Sequence, residues 1–544
     1  MIKKAEIMII GGGPAGLCAA LSAASLGAKV LLVERDEVPG GQLVKQTHKF
    51  FGSEKQYAGD RGIHIGQMLT ENAGSDKNIE MWTDSTALAI YEDGVVTVEH
   101  KEKHVKVKPE RIIVATGAAE KFLAFPGNDL PGVYGAGAVQ TLMNVSGIKP
   151  AEAVLMVGAG NIGLIVSYQL KQAGVNVAAV IEGSGTIGGY MVHASKIRRA
   201  GIPILTRHTI LEALGEEKVE GAVIAKLDEN WQLIKGSEKT VKCDAICLAV
   251  GLSPLTELLW MVGCEMKYIR ELSGHVPILS KNLETTKPGI YCAGDVCAIE
   301  EASSAMVEGR LAGVAAAESL GYGKDTAGGL LEDAKEELWQ LRSGPLSTHI
   351  RIGMKKVAGL QKAEELQPDS FDESKESDYK SSDGVPTQDD IAAVTPFYDR
   401  FLEGPVALIE CFQKIPCDPC VKACKRNAIT MTEDINGLPV VNTDLCNGCA
   451  LCITQCPGLA VFVIDKTFSK THALVRLPYE YLPLPQENYY VKGLSRSGEE
   501  LGDFKVNKVT SGGTKNKTYI ISLEVPKELA MQVRDIKTGD MENR

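Results

Sequence analysis

A chain of 544 residues is too long for one hydrophobic core, so three or four domains are expected. A net charge of −11 argues against a nucleic-acid partner and leaves no polybasic membrane patch. No stretch is long and apolar enough to span a bilayer, and the Met1-Ile-Lys-Lys start lacks the small-residue cleavage site of a signal peptide. Dense CxxC usage reads as metal binding by reduced thiolates, which with the foregoing predicts a cytoplasmic protein.

The first element is an apolar strand, Glu6–Ile10, followed by Gly11-Gly-Gly13-Pro14-Ala15-Gly16 and an Ala/Leu-rich helix to Leu26. A second apolar strand, Val30–Val33, ends in Glu34-Arg35. This is a complete βαβ dinucleotide fingerprint. Gly11 makes the turn, Gly13 lets backbone approach a pyrophosphate, and Gly16 lets helix and strand pack; Glu34 stands where an acid binds ribose hydroxyls. Three further motifs follow: Gly40-Gly41-Gln42-Leu43, Ile112-Ile-Val-Ala-Thr116-Gly117, and Gly289-Ile-Tyr-Cys-Ala-Gly294-Asp295. Together they resemble the flavin contacts of thioredoxin-reductase-like flavoproteins, and the resemblance implies FAD at all of these positions. His48, near the Gly-Gly-Gln-Leu turn, is placed to face the flavin, but it reads better as an ordinary surface or packing histidine.

The logic repeats downstream. The strand Ala153–Val157 leads into Gly158-Ala-Gly160-Asn161-Ile162-Gly163, a helix to about Ala173, and the strand Val175–Ile181 ending in Glu182. An acid there suits a free ribose hydroxyl better than a 2′-phosphate, which favours NAD(H); the same fold can hold ATP or ADP structurally. The basic pair Arg198-Arg199 reads as a solvated helix face. A nicotinamide-type domain at 122–252 is thus expected inside an FAD domain made of 1–121 and 253–325. This arrangement resembles the pyridine-nucleotide-disulfide reductase superfamily. The reactive cysteine pair of such enzymes has no counterpart in Gly40–Gly52 or Leu130–Asn144. Cys243 and Cys247 are expected on one strand face, too far apart to bridge, so no disulfide relay is predicted.

Pro131-Gly-Val-Tyr-Gly-Ala-Gly-Ala-Val-Gln140-Thr-Leu-Met-Asn144 and Ser303-Ser-Ala-Met-Val-Glu308-Gly309-Arg310-Leu-Ala-Gly313 carry a narrower resemblance. They are similar to the alpha-type flavoprotein subunits of heteromeric amine and imino-acid dehydrogenases: opine oxidases, proline and hydroxyproline dehydrogenases, hydrogen cyanide synthase and sarcosine oxidase. The resemblance implies a beta-type flavoprotein partner that oxidises the amine, and a small iron–sulfur or ferredoxin-like partner. The chain departs from the sarcosine oxidase member in lacking its N-terminal extension, and it carries a cysteine-rich module.

A helix is expected over Leu330–Leu341, within a helical and linker region at 326–396 whose Pro368–Asp390 stretch is polar. The ferredoxin-like domain, 397–469, follows. Its Cys446-x2-Cys449-x2-Cys452-x3-Cys456-Pro457 run is the [4Fe–4S] spacing of bacterial ferredoxins. An offset of 32 residues aligns Cys417, Cys420 and Cys424 with Cys449, Cys452 and Cys456, while Lys414 stands where Cys446 has its match and Cys411 lies three residues before it. Because the fourth cysteine of each run ligates the other cluster, the expected cages are Cys446, Cys449, Cys452, Cys424 and Cys411, Cys417, Cys420, Cys456. Zinc is the alternative metal. The tail, 470–544, alternates in short β runs around Ser511-Gly-Gly-Thr514 and reads as a small β-rich docking module.

The fold expected is therefore α/β, with two Rossmann-like domains, a ferredoxin-like iron–sulfur domain and a C-terminal β module. The function expected is that of an FAD- and iron–sulfur-containing electron-transfer subunit of an amine or imino-acid dehydrogenase complex. The alternatives are a self-contained NADH:ferredoxin-type oxidoreductase and a scaffold subunit with a purely structural second nucleotide. No acid/base pair for substrate chemistry is identified, and the amine, the electron acceptor and the stoichiometry stay open.

Overall fold

The computed structural model describes residues 2–358 and 379–542. The chain forms two compact units, each assembled from separate stretches. The first unit is Met1–Gln46, Lys55–Glu120 and Gly251–Ser377, and the second is Thr47–Glu54, Lys121–Val250 and Asp378–Arg544, in each case as far as described.

In the first unit, Ile7–Ile10 and Val30–Val33 are buried along their whole length, as a parallel sheet covered on both faces requires. The sheet order is Ile79–Trp82, Val30–Val33, Ile2–Ile10, Lys103–Val114, Val96–His100, Ser85–Ile90, and Ile290–Cys292 also pairs with Lys103–Val114. The helix Pro14–Ser25 packs closely on the helix Ala302–Ser319. Glycines make that approach: a Cβ on Gly309 would lie 2.1 Å from the Ala15 carbonyl oxygen, and one on Gly313 2.3 Å from that of Ala19. A Gly309→Ala variant must push the two helices apart, an overpacking cost of about 1–3 kcal/mol. It should melt at lower temperature than the parent, and an unchanged melt would rule out so tight a crossing. The expected helix over Leu330–Leu341 is present as Ala327–Arg342.

The second unit holds a parallel sheet in the order Ile204–Thr206, Asn176–Glu182, Ala153–Val157, Ala245–Leu248, Val133–Gly135. It also holds a seven-stranded antiparallel sheet, ordered Val406–Ile409, Val461–Asp465, His472–Tyr479, Tyr519–Pro526, Glu500–Ser511, Tyr490–Leu494, Asp535–Glu542. That sheet takes strands from both 397–469 and 470–544, so these stretches share one structure rather than meeting as separate modules. Its inner face continues into the nucleotide-type core: Leu164, Met191 and Ile197 belong to one buried cluster with Phe462, Tyr479 and Phe504. A buried ion triad pins the sheet's far end, where Glu410 accepts from Arg496 and Arg534 at 2.6 Å each. Burial pushes the Glu410 carboxyl up, but the two guanidinium groups outweigh it and hold it below the usual range.

Two sequence expectations are corrected here. Arg199 is not on a solvated face: it is 5 % exposed and donates to the Leu459 carbonyl at 2.7 Å. Cys243 does not share a strand face with Cys247. It precedes the strand Ala245–Leu248, and the two side chains enter different core clusters, because Asp244 bends the chain by accepting from the Glu152 and Ala153 amides. Of the polar linker Pro368–Asp390, the part up to 378 lies outside the described residues. The remainder leads into a capped helix, Gln388–Val394, with Thr387 and Asp390 forming the capping box.

Candidate functional site

The two glycine fingerprints fold to the same geometry. Gly11 and Gly158 adopt φ of +105° and +106°, and a Cβ on either would lie 2.3 Å from a neighbouring strand's carbonyl oxygen, Ala115 or Ala249. Gly16 and Gly163 press on the turn itself, where a Cβ would come within 1.8 Å of Gly11 O and 2.0 Å of Gly158 O. Gly13 and Gly160 cap the helices Pro14–Ser25 and Asn161–Gln172 and have room beside them. Each helix therefore offers free amide donors and a positive dipole end at an open backbone, the requirement for a pyrophosphate.

The acids behave alike. Glu34 accepts from Gly12 N–H at 2.5 Å and from Asp36 N–H at 2.9 Å; Glu182 accepts from Ala159 N–H and Ser184 N–H, both at 2.9 Å. These bonds fix each carboxylate against the glycine turn, where the sequence expects a ribose. A second glycine pair completes each turn. Gly40 N–H donates to Gly12 O at 2.8 Å, and a Cβ on Gly41 would lie 2.8 Å from Gly13 Cα. Gly189 N–H donates to Ala159 O at 2.9 Å, and its Cβ would lie 2.9 Å from the Asn161 amide nitrogen. Gly188-Gly189 was not singled out in the sequence, although a Gly-Gly pair six to seven residues after each acid is a readable signal.

The remaining expected positions lie as follows. Gln42 and Leu43 lie in the short helix Gly41–Lys45. Thr116 Oγ1 donates to Leu255 O at 2.7 Å, and Gly117, at φ +74°, has open space where a side chain would be. Arg35 is exposed and pairs only loosely with Asp36. Gly294 N–H donates to Glu308 at 2.8 Å, and Glu308 is gripped with Glu300 by the buried Arg342. Arg351 in turn donates to the carbonyls of Arg342 and Gly344. Asp295 sits at the head of this network. Burial pushes its carboxyl up to about 7, partly offset by the Glu300 N–H and reinforced by Glu308, Glu300 and Glu301. Such a group is suited to share a proton with a hydroxyl rather than to stand as a bare charge.

The cysteine region shows the expected 32-residue repeat in its backbone. Asn427 and Leu459 both adopt left-handed φ, +51° and +52°. Ala428 N–H points at Cys424 Sγ (3.2 Å), and Ala460 N–H at Cys456 Sγ (3.4 Å). Cys411, Cys417, Cys420 and Cys456 line one cavity, closed by apolar groups including Ile409, Ile415, Val461, Val192 and Phe51. Lys414, the misaligned position, turns away to Glu433 at 2.7 Å. Burial drives the Cys411 thiol up to about 12, with Cys456 adding to it, and moves Cys417 and Cys420 in the same direction. Cys452 is raised by burial and then by Cys446, Cys449 and Cys420, while Cys449 is exposed. None of the fourteen cysteines forms a disulfide. Among the described residues, no three His, Cys, Asp or Glu side chains converge tightly enough for a single metal ion. Four sulfurs around a cavity are what a larger, multi-iron group needs, and its positive charge would hold as thiolates the groups that burial keeps protonated.

The family model described as pyridine nucleotide-disulphide oxidoreductase matches residues 5–309. The chain belongs to this family. Its members are FAD-dependent oxidoreductases, and this chain is one of them by descent. An opine oxidase subunit of Agrobacterium tumefaciens is similar to it, 28% identical over 58% of this chain and 66% of that one. The HcnB subunit of hydrogen cyanide synthase from Pseudomonas aeruginosa is 26% identical over 56% and 69%. The alpha subunit of sarcosine oxidase from Rhizobium meliloti is 29% identical over 46% and 25%. The expected resemblance to alpha-type subunits is thus found; the match spans just under two thirds of the opine oxidase polypeptide and a quarter of the sarcosine oxidase polypeptide.

The pyridine nucleotide-disulphide oxidoreductase match ends before the cysteine cavity. Several contacts gave no signal in the sequence. Cys292 and Cys297, which flank Gly294-Asp295, lie within hydrogen-bond reach of one another, and burial keeps the Cys297 thiol firmly protonated. Glu300 and Arg342 gave no sequence signal because their partners lie tens of residues away. Nor did Phe51, which reaches the cysteine cavity because Gly52 pairs with Cys417 and accepts from Asp418 N–H at 3.0 Å. Lys49, 2 % exposed, anchors the same segment on Thr454 and on Thr518, 2.5 Å away. No helix among the described residues is long and apolar enough to cross a membrane.

Proposed function

We propose that this chain is the FAD- and iron–sulfur-containing electron-transfer subunit of a heteromeric amine or imino-acid dehydrogenase complex, working in the cytoplasm. The observation that carries the reading is the apolar cavity lined by Cys411, Cys417, Cys420 and Cys456. When bound, FAD exchanges electrons in pairs or singly, whereas a [4Fe–4S] cluster takes them one at a time.

The residues have separate tasks. The amides at the start of Pro14–Ser25 bind the FAD pyrophosphate, Glu34 orients the ribose, and Asp295 holds a ribityl hydroxyl. Gly158, Gly160, Gly163 and Glu182 take a second adenine nucleotide, NAD(H), ATP or ADP. Cys411, Cys417, Cys420 and Cys456 hold one cluster; Cys424, Cys446, Cys449 and Cys452 hold the other. Ala428 and Ala460, by aiming amide N–H groups at Cys424 and Cys456 sulfurs, offset thiolate charge and thereby tune each site. The multi-subunit character of the relatives supports a beta-type flavoprotein partner that oxidises the amine, with a ferredoxin-like carrier as acceptor.

The test is anaerobic purification from the native host. The expected material contains FAD, about eight iron atoms per chain and a second flavoprotein chain, and its flavin stays oxidised with NADH alone. The repeated Glu182 geometry favours one alternative, an NADH:ferredoxin-type oxidoreductase, which requires NADH to bleach the flavin with no partner present. A chain that carries flavin but neither iron nor acid-labile sulfide would sink both readings.

A further inference from the structure

The two nucleotide-binding halves follow a similar plan and differ in the link between two strands. Each half adds an antiparallel layer: Ser85–Ile90, Val96–His100 and Lys103–Val114 in one, His208–Leu214, Gly221–Lys226 and Lys239–Val241 in the other. Just before each layer stands a left-handed residue, Asp84 (φ +49°) or Arg207 (φ +52°). Its N–H donates to the carbonyl two residues after the ribose acid, Asp36 O at 3.2 Å or Ser184 O at 2.9 Å. The second and third strands of the layer are joined by Lys101-Glu102 in the first half and by residues 227–238 in the second.

That longer link is built around Asp228. Its Oδ1 accepts from Asn230 N–H at 2.8 Å and Gln232 N–H at 2.9 Å, and its carbonyl accepts from Trp231 N–H at 3.2 Å. The loop holds Trp231 at φ +61°, a conformation that costs a non-glycine residue free energy. It lays the indole on the backbone of Gly183, where a Cβ would lie 2.6 Å from the ring. Gly183 directly follows Glu182. Trp231 is nevertheless 63 % exposed, whereas a tryptophan placed for packing would be buried. Arg207 flanks the same loop: its guanidinium would lie 3.0 Å from a Cβ on Gly185, and it reaches Glu229 at 3.6 Å. With the pyrophosphate at the helix start and the ribose at Glu182, the base of a nucleotide falls beyond the acid, beside Gly183.

We infer that Trp231 is the base-stacking platform of the second nucleotide site, so that this site grips the adenosine end of its ligand and takes ADP as readily as NADH. The inference rests on reading Gly158–Glu182 as a nucleotide site. A strained, exposed indole beside the ribose acid gives the purine ring a wall that the equivalent two-residue turn of the first half does not supply.

The test is titration of the full-length flavin-loaded protein, its Trp231→Ala variant and its Trp231→Phe variant, with ADP and separately with NADH. Losing a base–aromatic stack weakens binding by about 5- to 150-fold, and Trp231→Ala should lose affinity for ADP and NADH by the same factor. Trp231→Phe should retain most of it. ADP should quench indole emission in the parent and not in Trp231→Phe, which keeps Trp82, Trp260 and Trp339. Thermal melting of both variants should match the parent, since the ring is exposed. Unchanged or tighter ADP binding by Trp231→Ala overturns the stacking role while leaving the nucleotide site standing. A parent protein that binds neither ADP nor NADH overturns the site and the role together.

Discussion

A Cys411→Ser variant purified without oxygen should hold about four iron atoms per chain where the parent holds about eight. The cavity explains why this position, and not the aligned Lys414, decides the outcome. Cys411 faces the space shared with Cys417, Cys420 and Cys456, while Lys414 is engaged with Glu433 at the surface. Adding Lys414→Cys to Cys411→Ser should therefore restore no iron. In the proposed reading, the remaining iron is that of Cys424, Cys446, Cys449 and Cys452, which the substitution leaves untouched. Iron and sulfide analysis with low-temperature electron paramagnetic resonance reads the result. Full iron in Cys411→Ser would remove this cysteine from the cage, and complete loss would mean that the two cages assemble only together.

An Arg342→Met variant should be the most destabilised single substitution in the first unit. The guanidinium is the counter-charge of both Glu300 and Glu308, and Glu308 holds the Gly294 amide at the expected flavin contact. Removing one partner of a buried ion cluster costs about 3–5 kcal/mol, because the other charges stay buried and uncompensated. The variant should melt at lower temperature and release FAD on gel filtration. Without the guanidinium nothing offsets the burial that pushes the Glu308 carboxyl up, so the deficit grows as the pH rises above the unfolded carboxyl's value and shrinks as the pH falls towards about 4.3. Glu308 already leans that way, since burial pushes its carboxyl up even with Arg342 beside it. Replacing Glu300 and Glu308 by glutamine in the same variant should recover much of the loss. An Arg342→Met protein as stable as the parent at pH 7 would show that the network carries no load.

What the sequence disclosed was what short-range geometry dictates. Gly11, Gly16, Gly158 and Gly163 sit where any side chain would strike backbone a few residues or one strand away, so spacing alone locates them. The 32-residue cysteine repeat was legible from spacing too, and the structure adds the matched left-handed residues Asn427 and Leu459. Long-range pairings left no such mark. Nothing near Arg342 announces Glu300 and Glu308, and nothing near Arg199 announces Leu459 across 260 residues. Cys243 was put on a strand because apolar alternation continued through it, and a turn made by Asp244 broke the count. The tail read as a separate module because its strands pair mostly with one another. Its link to the rest, the pairing of His472–Tyr479 with Val461–Asp465, depends on a register that composition does not encode.

The segment Thr47–Glu54 has a consequence for how the protein is made. It belongs to the second unit, yet it is translated before most of that unit exists. Gly52 must wait for Cys417, and Lys49 for Thr454 and Thr518. At about 5–20 residues per second, the ribosome needs on the order of 20–70 s to travel from Phe51 to Cys417. Phe51, buried in the finished protein, meets Tyr190 and His193 well before that, but the cavity it lines is incomplete throughout the interval. In the proposed reading, the cluster cavity is complete only after Cys456 has been made and the segment has closed against it. Overexpression that outruns this closure should yield a flavin-coloured, iron-poor and aggregation-prone product whose remedy is slower synthesis.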